Sequence, residues 1–226
     1  SPSAAFNISI DTGTPATPSF TAFSTDTGVN GDGITGDNTL TFSGTAEASA
    51  TVNVLLNAAS IGTVTASGAG NWTFDYSATT LANNSYSVTA TATDASGNAS
   101  LTSAALAVTV DAQAPVIATL NPVDGATSVG VTQNLVLTLD ESVQIASGNL
   151  VIRHFIDDTV FETIPIGDAR ITGGGTNTLT INPAGSFVGG TQYYVEISAG
   201  AFTDAAGNGF AGITGNGTWS FTSVPT

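Results

Sequence analysis

The chain contains no cysteine, no methionine and no lysine, and its positive charge is confined to Arg153 and Arg170. The absence of cysteine excludes disulfide staples, thiolate metal ligands and thiol catalysis. The absence of lysine excludes any lysine–asparagine isopeptide crosslink. Seventeen acidic residues face the two arginines and the single His154, for a net charge of −15. Such a surface repels phosphate backbones, so nucleic acid is not an expected partner. No apolar run is long enough to cross a bilayer as a helix, and membrane insertion is not expected. Stiffness, where this chain needs it, must come from packing, short linkers or bound ions.

What is present is a small-residue vocabulary of Gly, Thr, Ser, Ala and Asn in which hydrophobic residues recur with period two rather than 3.6. Residues 39–44, 51–56, 71–76 and 85–92 read as half-buried strands, separated by Gly/Asn/Ser clusters at β-sandwich intervals. The same grammar returns beyond Pro115, over residues 116–120, 135–139, 150–155, 160–164, 178–181, 193–197 and 218–221. No segment has the pattern of an amphipathic helix. Two punctuation marks repeat: a strand closed by aspartate and followed by proline, at Ile10-Asp11-Thr12-Gly13-Thr14-Pro15 and at Val110-Asp111-Ala112-Gln113-Ala114-Pro115. The expected architecture is therefore all-β, two tandem immunoglobulin-like β-sandwich domains over residues 11–111 and 112–226. Residues 1–10 read as the tail strand of a preceding repeat. The linker, a few residues with a proline, reads as stiff.

Sandwich topology converts carboxylate positions into geometry. With strands alternating in direction, the first strand's start, the second-to-third-strand loop and the loop before the last strand share one end of a domain. In the first domain that end collects Asp11, Glu47, Asp94 and Asn98; in the second it collects Asp111, Glu141 beside Asp140, Asp204 and Asn208. The opposite end of the first domain carries the most acidic loop, residues 25–38, with Asp26, Asp32 and Asp37. Thr93-Asp94-Ala95-Ser96-Gly97-Asn98 is echoed by Thr203-Asp204-Ala205-Ala206-Gly207-Asn208, a composition that a tight turn alone also demands. Carboxylates 4–5 Å apart repel by roughly 3–4 kcal/mol at an effective dielectric near 20. Converging without basic partners, they splay apart or bind a cation. Oxygen donors without His or Cys suit a hard ion, and Ca²⁺ tolerates the irregular shell that loops provide better than Mg²⁺ does.

Residues 35–47, 70–74 and 87–98 resemble the bacterial Ig-like repeats of giant surface adhesins, of the biofilm-associated and RTX types. Residues from Ala114 onward, with Asp140-Glu141 and the segment 199–208, resemble an Ig-like domain type known from S-layer proteins. The resemblance implies tandem sandwiches with Ca²⁺ at the joints, stiffening a stalk outside the bacterial cell. On that reading Asp26, Asp32 and Asp37 cap the first domain, Asp111 bridges, and Glu141, Asp204 and Asn208 complete the joint. Asp11, Glu47, Asp94 and Asn98 form half of a second joint. The partners implied are neighbouring Ig-like repeats of one monomeric chain, with a host or biofilm surface ligand reached through other domains.

Two other chemistries compete. Catalysis requires a constellation, and His154 beside Arg153, Asp157 and Asp158 has no nucleophile-elbow motif with it; a solvated strand histidine is the expectation. Asp140 and Glu141 are adjacent on a strand, so they do not face each other as acid and nucleophile. A glycan- or protein-binding module would use Trp72, Trp219, Tyr193 and Tyr194 as stacking faces, but their alternation with small polar residues points several of them into cores. No enzymatic activity is expected, and a structural extender is the favoured reading.

Overall fold

The computed structural model describes residues 10–225. The strand read over residues 1–10 lies, apart from Ile10, outside the described residues. The chain forms two compact units, one running through Asp26 and then over Gly31–Asp111, the other made of Thr27–Asn30 and Ala112–Thr226.

Among the described residues the first unit holds eight strands: β1 (Ser19–Ser24), β2 (Ile34–Thr35), β3 (Thr41–Thr45), β4 (Thr51–Leu56), β5 (Ala59–Thr65), β6 (Asn71–Asp75), β7 (Asn84–Thr93) and β8 (Leu106–Val110). They form a three-stranded sheet, β1-β3-β6, and a five-stranded sheet, β2-β8-β7-β4-β5. Strict alternation builds the core between them. Val52 and Val54 of β4 and Val88, Ala90 and Ala92 of β7 are buried, while the residues between them point outward. Leu40, Phe42, Trp72, Val108 and Val110 complete the apolar layer.

Gly44 marks the tightest point of this core. It pairs with Trp72 on β6 and with Phe20 on β1. The Phe20 and Trp72 rings meet edge to face at 5.3 Å. A Cβ at position 44 would lie 2.0 Å from the Ser19 carbonyl oxygen and 2.4 Å from the indole of Trp72. Gly44→Ala is therefore expected to displace the ring and destabilise the first domain by about 1–3 kcal/mol, the usual cost of overpacking. Urea denaturation of the variant checks this, and an unchanged midpoint for the first domain would refute it.

The second unit holds ten strands: β9 (Ile117–Asn121), β10 (Ala126–Val129), β11 (Leu135–Ile145), β12 (Asn149–His154), β13 (Val160–Pro165), β14 (Ile171–Thr172), β15 (Thr176–Ile181), β16 (Gln192–Ile197), β17 (Phe202–Thr203) and β18 (Ser220–Ser223). One sheet runs β10-β18-β16-β12-β13; the other runs β14-β15-β11-β17, with β9 also paired to β11. Leucines 135, 137 and 139 face Leu150, Ile152, Val195 and Trp219 across a core richer in large side chains than the first. Phe161, Phe187, Tyr193 and Phe221 form an aromatic cluster with ring centroids 5.0 to 5.8 Å apart.

Both arginines are committed to this unit. Arg153 pairs with Glu196 across β12 and β16 at 2.7 Å. Arg170 pairs with Glu162 on β13 and, at 2.9 Å, with Asp168. The hydrogen bond from the Arg170 side chain, then that from its backbone amide, hold the Asp168 carboxyl down at about 2. A carboxylate depressed below its unfolded value contributes stability that is fully present above pH 3.8 and lost as pH falls towards 2. The acid slope of the second domain's melting temperature in that window is thus expected to be shallower in Arg170→Gln. Parallel slopes for the two proteins would contradict the assignment.

Candidate metal centre

The site grows from a change of partner along β11. Its first half, Val136 to Leu139, pairs with β9, whereas Gln144 and Ile145 pair with β17. The register is broken in between, after Thr138. Burial nevertheless keeps period two: Leu135, Leu137, Leu139 and Val143 are fully buried, and half-buried Glu141 occupies the same inward phase. Asp140, one residue earlier, is exposed and anchors β9. Its Oδ1 accepts from the Val116 amide at 2.8 Å, and its own amide donates to the Val116 carbonyl at 3.0 Å. Asp140 and Glu141 therefore lie inside an eleven-residue strand and point to opposite faces, as adjacent strand residues do, and not in the loop between the second and third strands with which the sandwich topology grouped them.

Asp204 follows β17 directly, which carries it to the same end as Glu141. It is 3% exposed. Its Oδ1 accepts from the Asn208 amide at 2.8 Å and its Oδ2 from the Asn208 Nδ2 at 2.7 Å. The chain reaches this end through Asp111, whose amide donates to the Thr35 carbonyl and whose Oδ1 accepts from Asn83 Nδ2 at 2.9 Å. One carboxylate oxygen each from Asp111, Glu141 and Asp204 lie within 4.8 Å of one another. At that spacing each pair of charges repels by about 3.5 kcal/mol or more at an effective dielectric of 20. The sequence has no lysine, and both arginines are engaged with other carboxylates. An oxygen-only donor set on strand and turn backbones fits a hard divalent ion.

The turn carrying Asp204 is duplicated at Asp94. In both copies the aspartate amide donates to the asparagine carbonyl at 3.1 Å, and the asparagine amide returns to the carboxylate at 2.8 Å. Gly97 and Gly207 take φ of 92° and 86°, a conformation that favours glycine. The side-chain hydrogen bond from Asn98, opposed by burial and helped by loop amides, holds the Asp94 carboxyl below its ordinary range. The repeated motif is thus a complete hydrogen-bonded turn in its own right.

The remaining carboxylates are placed differently. Asp11 lies against the Asp94 turn, its carbonyl accepting from Asn98 Nδ2 at 3.2 Å, but Glu47 is exposed in the turn after β3. Among the described residues, neither joins a group of three converging carboxylates. In the acidic loop the carboxylates serve their own backbone. Asp26 accepts from the Gly31 amide at 2.6 Å, Asp32 from Ile34 at 2.8 Å, and Asp37 from the Thr25 and Thr39 amides at 2.9 Å each. Burial pushes the Asp37 carboxyl up, but the hydrogen bonds from Thr25 and Thr39 outweigh it and leave the group below its ordinary range. Within the second unit, residues 27–30 lie on the Asp204 turn: Thr27 Oγ1 donates to the Ala206 carbonyl, and a Cβ on Gly207 would fall 2.8 Å from the Gly28 amide nitrogen.

The candidates for other chemistry are accounted for as well. Trp72, Trp219, Tyr193 and Tyr194 are all buried and offer no stacking platform. His154 is half-buried, its ring tilted at 39° to that of Tyr193 with centroids 4.9 Å apart and edge-on to Phe161, rather than solvated as the sequence suggested. Among the described residues, no helix is long and apolar enough to cross a membrane.

Two mostly antiparallel sandwiches in succession, joined by a short segment, define a tandem β-sandwich protein of the immunoglobulin-like class. Family models described as Bacterial Ig-like domain match residues 14–112 and 111–223, and the chain belongs to that family. The second match takes in Asp111, Glu141 and Asp204 together. No curated protein matches the chain. Among solved structures, one concerning host cell surface retention of a 1.5-MDa bacterial ice-binding adhesin is 18% identical, with a TM-score of 0.42 over 94% of this chain and 65% of its own. A biofilm-associated protein BSP domain is 13% identical, with a TM-score of 0.28 over 85% of this chain and 28% of its own. Fibronectin(III)-like modules of Clostridium thermocellum CbhA are 13% identical at 0.32, over 92% and 94%. The chain thus spans 28% and 65% of the two adhesin-related structures.

Proposed function

We propose that this chain is a non-catalytic extender segment of a bacterial cell-surface adhesin, stiffened by Ca²⁺ held at Asp111, Glu141 and Asp204. The observation that carries the reading is the convergence of those three carboxylate oxygens within 4.8 Å, on a chain without lysine whose arginines are engaged elsewhere. A bound divalent ion turns the mutual repulsion into attraction, and it does so through Asp111, the residue from which the second domain departs. Fixing that residue to Glu141 and Asp204 restricts the swing of one sandwich against the next. Asn208 holds Asp204 in place through both carboxylate oxygens. The acidic loop supports the reading differently from the sequence expectation: Asp26, Asp32 and Asp37 accept from backbone amides and so shape the loop. The natural partners are neighbouring Ig-like repeats of the same chain, outside the cell.

Solution scattering with calcium and with chelator tests this directly. The expected result is a narrower distribution of interdomain distances in calcium. Identical profiles in both conditions would overturn the stiffening role.

A further inference from the structure

Asparagine followed by glycine occurs three times, at Asn30-Gly31, Asn208-Gly209 and Asn216-Gly217. This dipeptide is chemically labile because the glycine amide nitrogen can reach the asparagine side-chain carbon unhindered by a Cβ. The reaction requires a free amide, a free side chain and backbone room to close a five-membered ring. The fold grants these to the three copies very unequally.

At the first site the Gly31 amide is engaged with Asp26 Oδ2 at 2.6 Å. At the second, Asn208 Nδ2 and its backbone amide are both held by Asp204, and the chain on either side is clamped by Asp204-to-Asn208 and Phe210-to-Phe202 backbone bonds. The third is open. Residues 214–218 are all exposed, and a Cβ on Gly217 would meet nothing within 4 Å. Neither the Asn216 side chain nor the Gly217 amide has a hydrogen bond among the described residues. The loop tip is fenced on one side by the Ile197–Ile213 bridge and the Gly215 amide on Glu196 Oε1, and on the other by the Val195 amide on the Trp219 carbonyl.

We infer that Asn216 is a site of spontaneous deamidation, a water-consuming modification that adds a negative charge beside the Arg153–Glu196 pair. The Gly217 nitrogen loses its proton and bonds to Asn216 Cγ. The Cγ–Nδ2 bond breaks, and ammonia leaves with that proton. Water then opens the resulting imide at either carbonyl, giving aspartate or, with the backbone routed through the side chain, isoaspartate. No oxidant or catalyst is needed, and the oxidation state of carbon is unchanged.

The test incubates the full chain at mildly alkaline pH, natively and in urea, and follows chymotryptic peptides by mass spectrometry with chromatographic separation of isoaspartate. In urea the three sites convert at similar rates. In the folded chain Asn216 converts more than about tenfold faster than Asn208, the latter waiting on local opening of a hydrogen-bonded turn. Gly217→Ala, for which there is room, abolishes the fast conversion without lowering the melting temperature. Equal native rates at positions 208 and 216, or an Asn216 that stays intact in the folded chain while converting in urea, would overturn the inference.

Discussion

Removing calcium is expected to lower the melting temperature of the second domain by on the order of 10 °C and to leave the core of the first nearly unmoved. The arithmetic follows from mass action: an ion that binds only the folded form, at 100 times its Kd, stabilises by about 2.7 kcal/mol. For a domain of this size each kcal/mol moves the midpoint by about 4 °C or more. The effect belongs to the second domain because two of the three carboxylates, Glu141 and Asp204, are built on its β11 and β17 framework. Glu141→Gln makes the physical origin visible through a change of sign. In calcium it melts below the parent, having lost a ligand. In chelator it melts at or above the parent, because one member of a repelling trio has been neutralised. Differential scanning calorimetry in both conditions reads this, and a variant that melts lower in both would point to an ordinary structural role for Glu141.

Trp219→Ala is expected to cost the second domain about 3–5 kcal/mol, the range for deleting a large core aromatic. Trp219 is fully buried among both sheets, and its Nε1 donates to the Pro122 carbonyl at 2.9 Å, a bond that ties the start of the domain to its last strand. Trp219→Phe keeps most of the apolar contact but leaves that carbonyl without its donor, which costs about 1–3 kcal/mol if the group stays dry. Trp72 gives the internal comparison. It is equally deep in the first domain, but its Nε1 has no partner among the described residues. Trp72→Phe is therefore expected to be milder than Trp219→Phe. Equal losses for the two phenylalanine variants would show that the indole hydrogen bond contributes nothing.

Sandwich class and strand alternation were legible because small polar residues alternate with valine, leucine and alanine in β4, β7 and β11, and little else in the chain competes with that signal. The strands missed were those without it. Ser19–Ser24 and Ala59–Thr65 are mostly exposed, hold few large apolar residues and owe their existence to pairing with neighbours. Two-residue strands such as β2 and β17 carry no periodicity at all.

The carboxylates divide along a similar line. Asp140-Glu141 were grouped with a loop because they follow directly on the strand read over residues 135–139. A stricter use of period two would have placed Glu141 in phase with Leu135, Leu137, Leu139 and Val143, an inward acid within a strand. Asp26, Asp32 and Asp37 were assigned from the density of charge in one loop at the first domain's opposite end. Short acidic side chains bond readily to nearby amides. Here Asp32 and Asp37 accept from amides two residues on, Asp37 also from Thr25 and Asp26 from Gly31, while the buried Oδ1 of Asp26 has no hydrogen-bond partner among the described residues. No count of charges distinguishes a carboxylate aimed at its own backbone from one aimed at its neighbours.

The central claim is that Asp111, Glu141 and Asp204 together hold one calcium ion. Isothermal titration of calcium into the chelator-stripped chain, set beside the same titration of Glu141→Gln, tests it most directly. The account predicts a saturable site in the parent that weakens at least about tenfold in the variant, a loss of 1.4 kcal/mol or more. Calcium binding of equal strength and stoichiometry in the two proteins would contradict it.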